Sequence, residues 1–229
     1  MTSGVARVRG DLANLRRDPM LVAAMAAPLL VGVLVRVGVP RVTDLIDLAD
    51  YLPLILGFSM LLAPFLAGFV MGFLLLEERE DRILDAIAVT PLGTGGFFAY
   101  RLWWPVLTGG LGAAAVALLA GVTAEVGRLV AAVFLAAATG GLITLVLAVL
   151  AGDRVQGLAL GKLTGVTLVA AVGFQLLPEP WRWLLAPIPQ VWVIDAVAGP
   201  GPALLSVVIG LFLHLGLGWM LWRRLLGSR

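Results

Sequence analysis

Charged residues interrupt this chain only at intervals. Six runs contain no Asp, Glu, Lys or Arg: 19–35, 51–76, 102–124, 129–152, 163–178 and 196–222. A helix needs about 20 apolar residues to cross a bilayer. The fifth run is short, but Lys162 can extend its stem to the interface and let that helix begin near Leu158. The pattern therefore predicts spans at about 19–38, 51–76, 102–123, 129–151, 158–177 and 200–222. Within each run the apolar residues are continuous rather than alternating, which selects helices over barrel strands. A further run, 183–194, is too short to cross and carries Pro187 and Pro189. It predicts a re-entrant or interfacial hairpin. The expected fold class is an all-α membrane protein, with residues 1–229 forming one transmembrane domain.

Composition agrees. Hydrophobic residues make up 61% of the 229, charged residues 13%, and the mean hydropathy is +1.04. A soluble domain is about 45–50% apolar and about 25% charged. No cysteine is present and His214 is the one histidine, which excludes thiolate sites and multi-histidine metal centres. No short apolar segment with a small-residue cleavage site precedes the first span, so that span is expected to remain in the mature chain.

The net charge is +2 and the sequence pI about 9.7. The basic residues orient the chain instead of marking a nucleic-acid surface. With the N-terminus inside, Arg7, Arg9, Arg16, Arg17, Arg79, Arg82, Arg101, Arg154, Lys162, Arg223, Arg224 and Arg229 are cytoplasmic. Arg36, Arg41, Arg128 and Arg182 are outside. Both termini are then expected on the cytoplasmic side of the cell membrane. Tryptophans favour the membrane interface, and Trp103, Trp104, Trp219 and Trp222 fall at inner ends, Trp181, Trp183 and Trp192 at the outer face.

Residues 1–18 place Val5, Val8, Leu12 and Leu15 on one helical face, with Arg7, Asp11, Asn14 and Arg17 away from it. This predicts an amphipathic helix on the inner membrane surface, either a topogenic anchor or a functional element. Asp44, Asp47 and Asp50 are spaced for one face of a short outer helix, read as a solvated polar face. The longest charged stretch runs from Glu77 to Tyr100 and begins E-E-R-E-D-R-I-L-D-A-I-A-V-T-P-L. Glu78 and Arg82 are four apart, in the favourable order for a helical pair. Ile83, Leu84, Ile87 and Ala88 form an apolar stripe, and Pro91 should end the helix by Thr90. Such an element suits docking on a soluble protein; it equally suits a juxtamembrane helix packed only on its own domain.

Small residues recur at helical spacing at Gly157, Gly161 and Gly165, and at Gly68 and Gly72. Those faces admit a close neighbouring helix, in the same chain or in a second copy. Gln175 and His214 are the candidate polar groups for a pathway through the membrane. No P-loop, G-x-S-x-G or H-E-x-x-H motif occurs, so the chain by itself carries no ATPase or hydrolase signature. Glu77, Glu78 and Arg82 do spell E-E-x-x-x-R, a motif of intramembrane proteases. Those enzymes need further histidine motifs, which a single histidine cannot supply.

Three pieces carry a family resemblance: R-R-D-P at 16–19, the 77–92 loop ending V-T-P-L, and D-R-V-Q-G-L-A-L-G-K at 153–162 followed by P-I-P-Q-V-W at 187–192. The chain resembles the permease subunit of type-2 ABC exporters, in particular small bacterial permeases of the fluoroquinolone-export kind. The cytochrome c maturation permease shares its length and plan. The first resemblance implies an exporter's membrane subunit that binds no cofactor itself and works with a separate ATPase carrying ATP and Mg. It also implies a second permease half, as homo- or heterodimer, with the pathway between the halves. By the same likeness Glu77, Glu78, Asp81, Arg82, Ile83, Leu84, Ile87, Thr90 and Pro91 belong to the ATPase-coupling loop. Residues 5–17 would form the connecting helix, and 178–200 the outer re-entrant segment that helps close the external gate. Partners are membrane lipid and protein subunits, with no nucleic acid. The rival functions are a protease of the E-E-x-x-x-R type and an ATP-independent channel or carrier.

Overall fold

A computed structural model of the chain describes residues 19–91 and 93–227. The amphipathic helix expected over 1–18 lies outside the described residues. The described elements are helices joined by turns. They run α1 (Pro19–Thr43), a 3-10 turn (Ala49–Tyr51), α2 (Leu52–Glu80), α3 (Ile83–Ala88), α4 (Gly93–Ala120) and α5 (Val126–Leu150). Then come α6 (Arg154–Leu176), a second 3-10 turn (Trp181–Leu185), α7 (Val191–Ala198) and α8 (Ala203–Gly227). Six of them, α1, α2, α4, α5, α6 and α8, are long and apolar enough to cross a membrane.

Helix α5 is the hub, packed against α2, α4, α7 and α8, while α1 leans on the outside of α2 and α4. Burial follows: 61% of the apolar window of α5 is inside the fold against 11% for α1. Lipid tails give no hydrophobic force for bringing apolar helices together, so close backbone approach must supply the packing. Glycines allow it. A Cβ on Gly68 would meet Ile143 of α5 at 2.9 Å, and one on Gly72 would meet Leu147 at 2.7 Å. Gly109 of α4 lies against Pro64 of α2. Thr144 completes the seam, its buried hydroxyl within 3.1 Å of the Gly68 carbonyl and 3.0 Å of the Gly140 carbonyl.

The second small-residue face, on α6, meets the aromatic ridge of α2. Gly157 lies against Leu76 and Phe73, Gly161 against Phe69, and Gly165 faces Phe65. Phe65, Phe69 and Phe73 stack along that ridge with centroids 6.2 and 4.6 Å apart. Both glycine faces are thus occupied by helices of the same chain.

Two buried clusters divide the interior. The larger gathers Leu56, Met60, Leu135, Phe174, Trp192 and Ile194 beside α7; the smaller gathers Leu75, Phe98, Leu145, Leu221 and Leu225 at the end of the bundle where α2 finishes. Outward faces remain apolar, as at Leu34, Leu118, Val169 and Phe212, which suits contact with acyl chains.

Two local expectations are corrected. Helix α1 continues to Thr43, and the chain then turns, so Asp44, Asp47 and Asp50 do not share a helix face. The Asp47 carboxylate instead accepts the Ala49 N–H at 3.0 Å and opens the short 3-10 turn. Aspartate side chains compete with helical hydrogen bonding in this way. The second correction concerns the acidic segment. It closes α2, which runs through Glu80, rather than opening the next helix.

Candidate functional site

The charged end of the bundle is built on the last turn of α2. Successive side chains there leave the helix in different directions, and each finds a distant partner. Glu77 and Glu80 both reach Arg154 at the start of α6, at 3.4 and 2.6 Å. Glu78 forms an ion pair with Arg101 of α4, both side chains mostly buried. Arg79 donates to the carbonyls of Ala148 and, at 3.0 Å, Ala151. These are acceptors that the end of α5 cannot satisfy within its own helix. One helical turn therefore ties together α4, α5 and α6.

Arg82 does not pair with Glu78. Its backbone is left-handed, with φ 56°, because α2 has ended at Glu80 and the chain must turn sharply into α3. That corner carries Arg82 off the helix surface, and Arg101 takes Glu78 instead. Asp81 is exposed at the corner. Within α3, Leu84 and Ile87 pack onto the smaller buried cluster, whereas Ile83 is 41% exposed. Val89, which the sequence reading did not single out, is 88% exposed just beyond the helix. Thr90 donates its hydroxyl to the Ile87 carbonyl at 2.7 Å and closes α3; Thr90 and Pro91 face outward. The resulting knob rests on its own domain through Leu84 and Ile87, and presents Asp81, Ile83, Val89 and Pro91.

Helix α6 begins beside it with a capping motif legible in the sequence. Asp153 accepts the Gln156 N–H at 2.8 Å, and the Gln156 side chain accepts the Gly152 N–H at 2.9 Å.

A second polar cluster lies at the opposite end, around the hairpin of the second 3-10 turn and α7. Asp195 is its centre, 9% exposed. Gln175 of α6 donates to Oδ1 at 3.0 Å, Ser206 of α8 donates to Oδ2 at 2.7 Å, and the Arg182 guanidinium lies 3.7 Å from Oδ1. Arg182 also stacks over Phe174, 4.3 Å from its centroid. Arg128 of α5 fastens the far side of the hairpin by donating to the carbonyls of Gly199 and Gly201, at 3.0 and 2.9 Å. The predicted hairpin is therefore tied to α5, α6 and α8. Gln175, a candidate pathway group, spends its amide on Asp195.

Asp195 was missed in the sequence. The available signal was an acid isolated between apolar neighbours, since a buried carboxylate needs partners. His214, the other candidate pathway group, is buried between α8 and α5. Its Nδ1 donates to the Gly210 carbonyl at 2.7 Å, and its Nε2 lies 2.9 Å from the Thr139 hydroxyl. Glu77 and Glu78 are engaged by arginines and His214 by Thr139, so the E-E-x-x-x-R residues and the histidine do not come together as one acid–base site. Among the described residues no group of three His, Asp or Glu side chains could hold a metal ion.

Residues 11–222 match the model of a family described as "Fluoroquinolones export permease protein Rv2686c-like". The chain belongs to this family. Two relatives from Mycobacterium tuberculosis are named fluoroquinolones export permease proteins, MT2760 in strain CDC 1551 / Oshkosh and Rv2686c in strain ATCC 25618 / H37Rv. Each is 26% identical over 232 residues, covering 94% of this chain and 91% of the relative. No solved structure is a significant match. Family membership and the six long apolar helices identify a multi-pass membrane permease.

Proposed function

We propose that this permease is the membrane-spanning half of an ATP-driven exporter. A separate ATPase subunit supplies the energy, and a second permease half, identical or different, completes the pathway. The charged end faces the cytoplasm, with both termini on that side of the cell membrane. The cargo is a hydrophobic or amphipathic small molecule or a lipid, with fluoroquinolone-like compounds the first to test because the relatives carry that name.

The observation that carries this reading is an export-permease match over nearly the whole chain in a sequence without a nucleotide-binding motif. The form of the α3 knob supports it. Leu84 and Ile87 seat the knob on the bundle, while Asp81, Ile83 and Val89 stay outside. Nucleotide-driven movement of a docked ATPase would be delivered through the last turn of α2 to α4, α5 and α6 together. A two-state membrane domain biased from one end needs a rigid junction of this kind.

The test is co-purification with an ATPase subunit from the same cells, followed by drug-efflux assays. Ile83→Glu with Val89→Glu should abolish both ATPase retention and efflux while the chain still folds. Efflux that persists with the ATPase gene deleted would favour the ATP-independent carrier and remove this reading.

A further inference from the structure

The two buried clusters change over at one level of the bundle. In α5 the larger cluster ends at Ala136 and the smaller begins at Leu142. In α4 the smaller ends at Leu102 and the larger begins at Ala113. The change falls between Phe65 and Leu75 in α2, and between Leu213 and Leu217 in α8. Each cluster is a packed body drawn from several helices, and such bodies resist internal deformation.

The layer between them is built differently. Pro64 interrupts the hydrogen-bond ladder of α2, and Pro105 that of α4. Both prolines are buried and face the same glycine of α5. A Cβ on Gly140 would lie 2.9 Å from the Pro105 carbonyl carbon and 3.5 Å from the Pro64 carbonyl oxygen. Helices α2 and α4 meet at Pro64 itself, where a Cβ on Gly109 would come within 2.9 Å of the proline Cα. Thr139 and His214 join α5 to α8 at this level through one hydrogen bond. On α6, Gly165 faces Phe65 and lies between Thr164 and Thr167, whose hydroxyls donate to carbonyls of their own helix at 2.9 and 2.6 Å. Thr108 does the same in α4, donating to the Trp104 carbonyl at 2.7 Å. Back-bonding of this kind favours helix bending.

The last turn of α2 binds α4, α5 and α6 at the charged end, and Asp195 and Arg128 bind the hairpin at the other. A displacement at either end must cross this layer to reach the other. Bending costs least where a helical ladder is already interrupted and where backbones touch without interlocked side chains between them. We propose that the Pro64–Pro105–Gly140 layer is a hinge. The smaller cluster and the charged end turn about it as one body, against the larger cluster and the hairpin as the other. That this turning drives export rests on the function proposed above; the hinge itself does not.

The chain has no cysteine, so introduced cysteine pairs can carry spin labels in the otherwise unaltered full chain, in lipid vesicles. Val155→Cys with Arg223→Cys reports the charged-end body, and Leu184→Cys with Leu204→Cys the hairpin body. Val155→Cys with Leu204→Cys spans the layer, on two helices that are not packed side by side. All four positions are exposed. Double electron–electron resonance should give a spanning distance distribution about twofold wider than either within-body distribution. This comparison needs no proline variant. Pro64→Ala combined with Pro105→Ala supplies the missing N–H groups and should narrow the spanning distribution to the within-body width. Pro28→Ala is the control, in α1, which packs through Gly32 on Val116 of the larger cluster; it should leave the distribution wide. A spanning distribution as narrow as the other two overturns the hinge. So does one that the double substitution leaves wide, or that Pro28→Ala narrows equally. Efflux is read separately: no export by the wild-type chain would overturn the proposed function, while the distance distributions would still decide the hinge.

Discussion

Arg154 engages Glu80 twice. Its backbone N–H lies 2.9 Å from Oε1 and its side-chain Nε 2.6 Å from Oε2. The first turn of α6 is thereby registered against the last turn of α2, immediately below the face where Gly157 and Gly161 meet Leu76 and Phe69. Electrostatic and steric constraints act on the same helix pair from adjoining levels. Movement of the α2 terminus must therefore carry α6 with it.

If that junction transmits movement, reversing one charge should uncouple it and reversing both should restore part of it. Glu80→Arg and Arg154→Glu are each expected to lower efflux in the assembled transporter. The double reversal should recover only partly, because the Arg154 N–H to Oε1 bond is not rebuilt. Efflux rates of the three variants, compared at equal membrane abundance, check this. Additive losses in the double variant would show that the pair does not act as a unit.

Asp195 holds the hairpin through three side chains. Asp195→Ala leaves Arg182 buried without its acid and should cost about 3 kcal/mol. Asp195→Asn preserves shape and some hydrogen bonding, and should cost less. Thermal unfolding in detergent ranks the two. Equal and small effects would mean that hairpin packing, through Trp192 and Phe174, carries the contact instead.

The α2–α6 seam makes a graded steric prediction. A Cβ at position 161 would fall on the Phe69 ring, whereas at 165 it would sit in ordinary contact, 3.7 Å from Phe65. Gly161→Ala should destabilise by about 1–3 kcal/mol. Gly165→Ala should stay within about 0.5 kcal/mol. Unfolding midpoints measured side by side decide it.

His214 is satisfied inside the bundle by the Gly210 carbonyl and Thr139. Thr139→Val removes one partner and should cost about 1–3 kcal/mol by stranding a buried ring nitrogen. Substrate preference in efflux assays should not change. A changed preference with unaltered stability would return His214 to the pathway.

Much of the architecture was legible along the chain because the bilayer sets a length. Uninterrupted apolar runs near 20 residues admit few structures other than spanning helices. The short 183–194 run, with its two prolines, was too short to cross and so predicted a re-entrant or interfacial hairpin. The α3 knob was legible for a similar local reason: its stripe has helical spacing and Pro91 limits its end. Pairing was not legible. Sequence spacing offered Arg82 to Glu78, while the structure gives it Arg101, because the helix stops at Glu80 and the corner takes Arg82 away. Arg154 and Glu80, 74 residues apart, share no local pattern. Asp195 reads as a stray acid until Gln175, Ser206 and Arg182 converge on it.

From its residues alone, this protein was bound to be a helical membrane protein with six segments long and apolar enough to span, in a sequence that holds no P-loop motif. Water and hydrocarbon partition every residue by its own chemistry, and backbone polar groups in lipid must be satisfied within each helix. Tertiary structure alone decided which charge answers which, that both glycine faces are filled by helices of the same chain, and that the hairpin is tied to three of them. Those outcomes depend on helix crossings and side-chain directions, and contacts between residues dozens of positions apart leave no periodic trace in the order of amino acids.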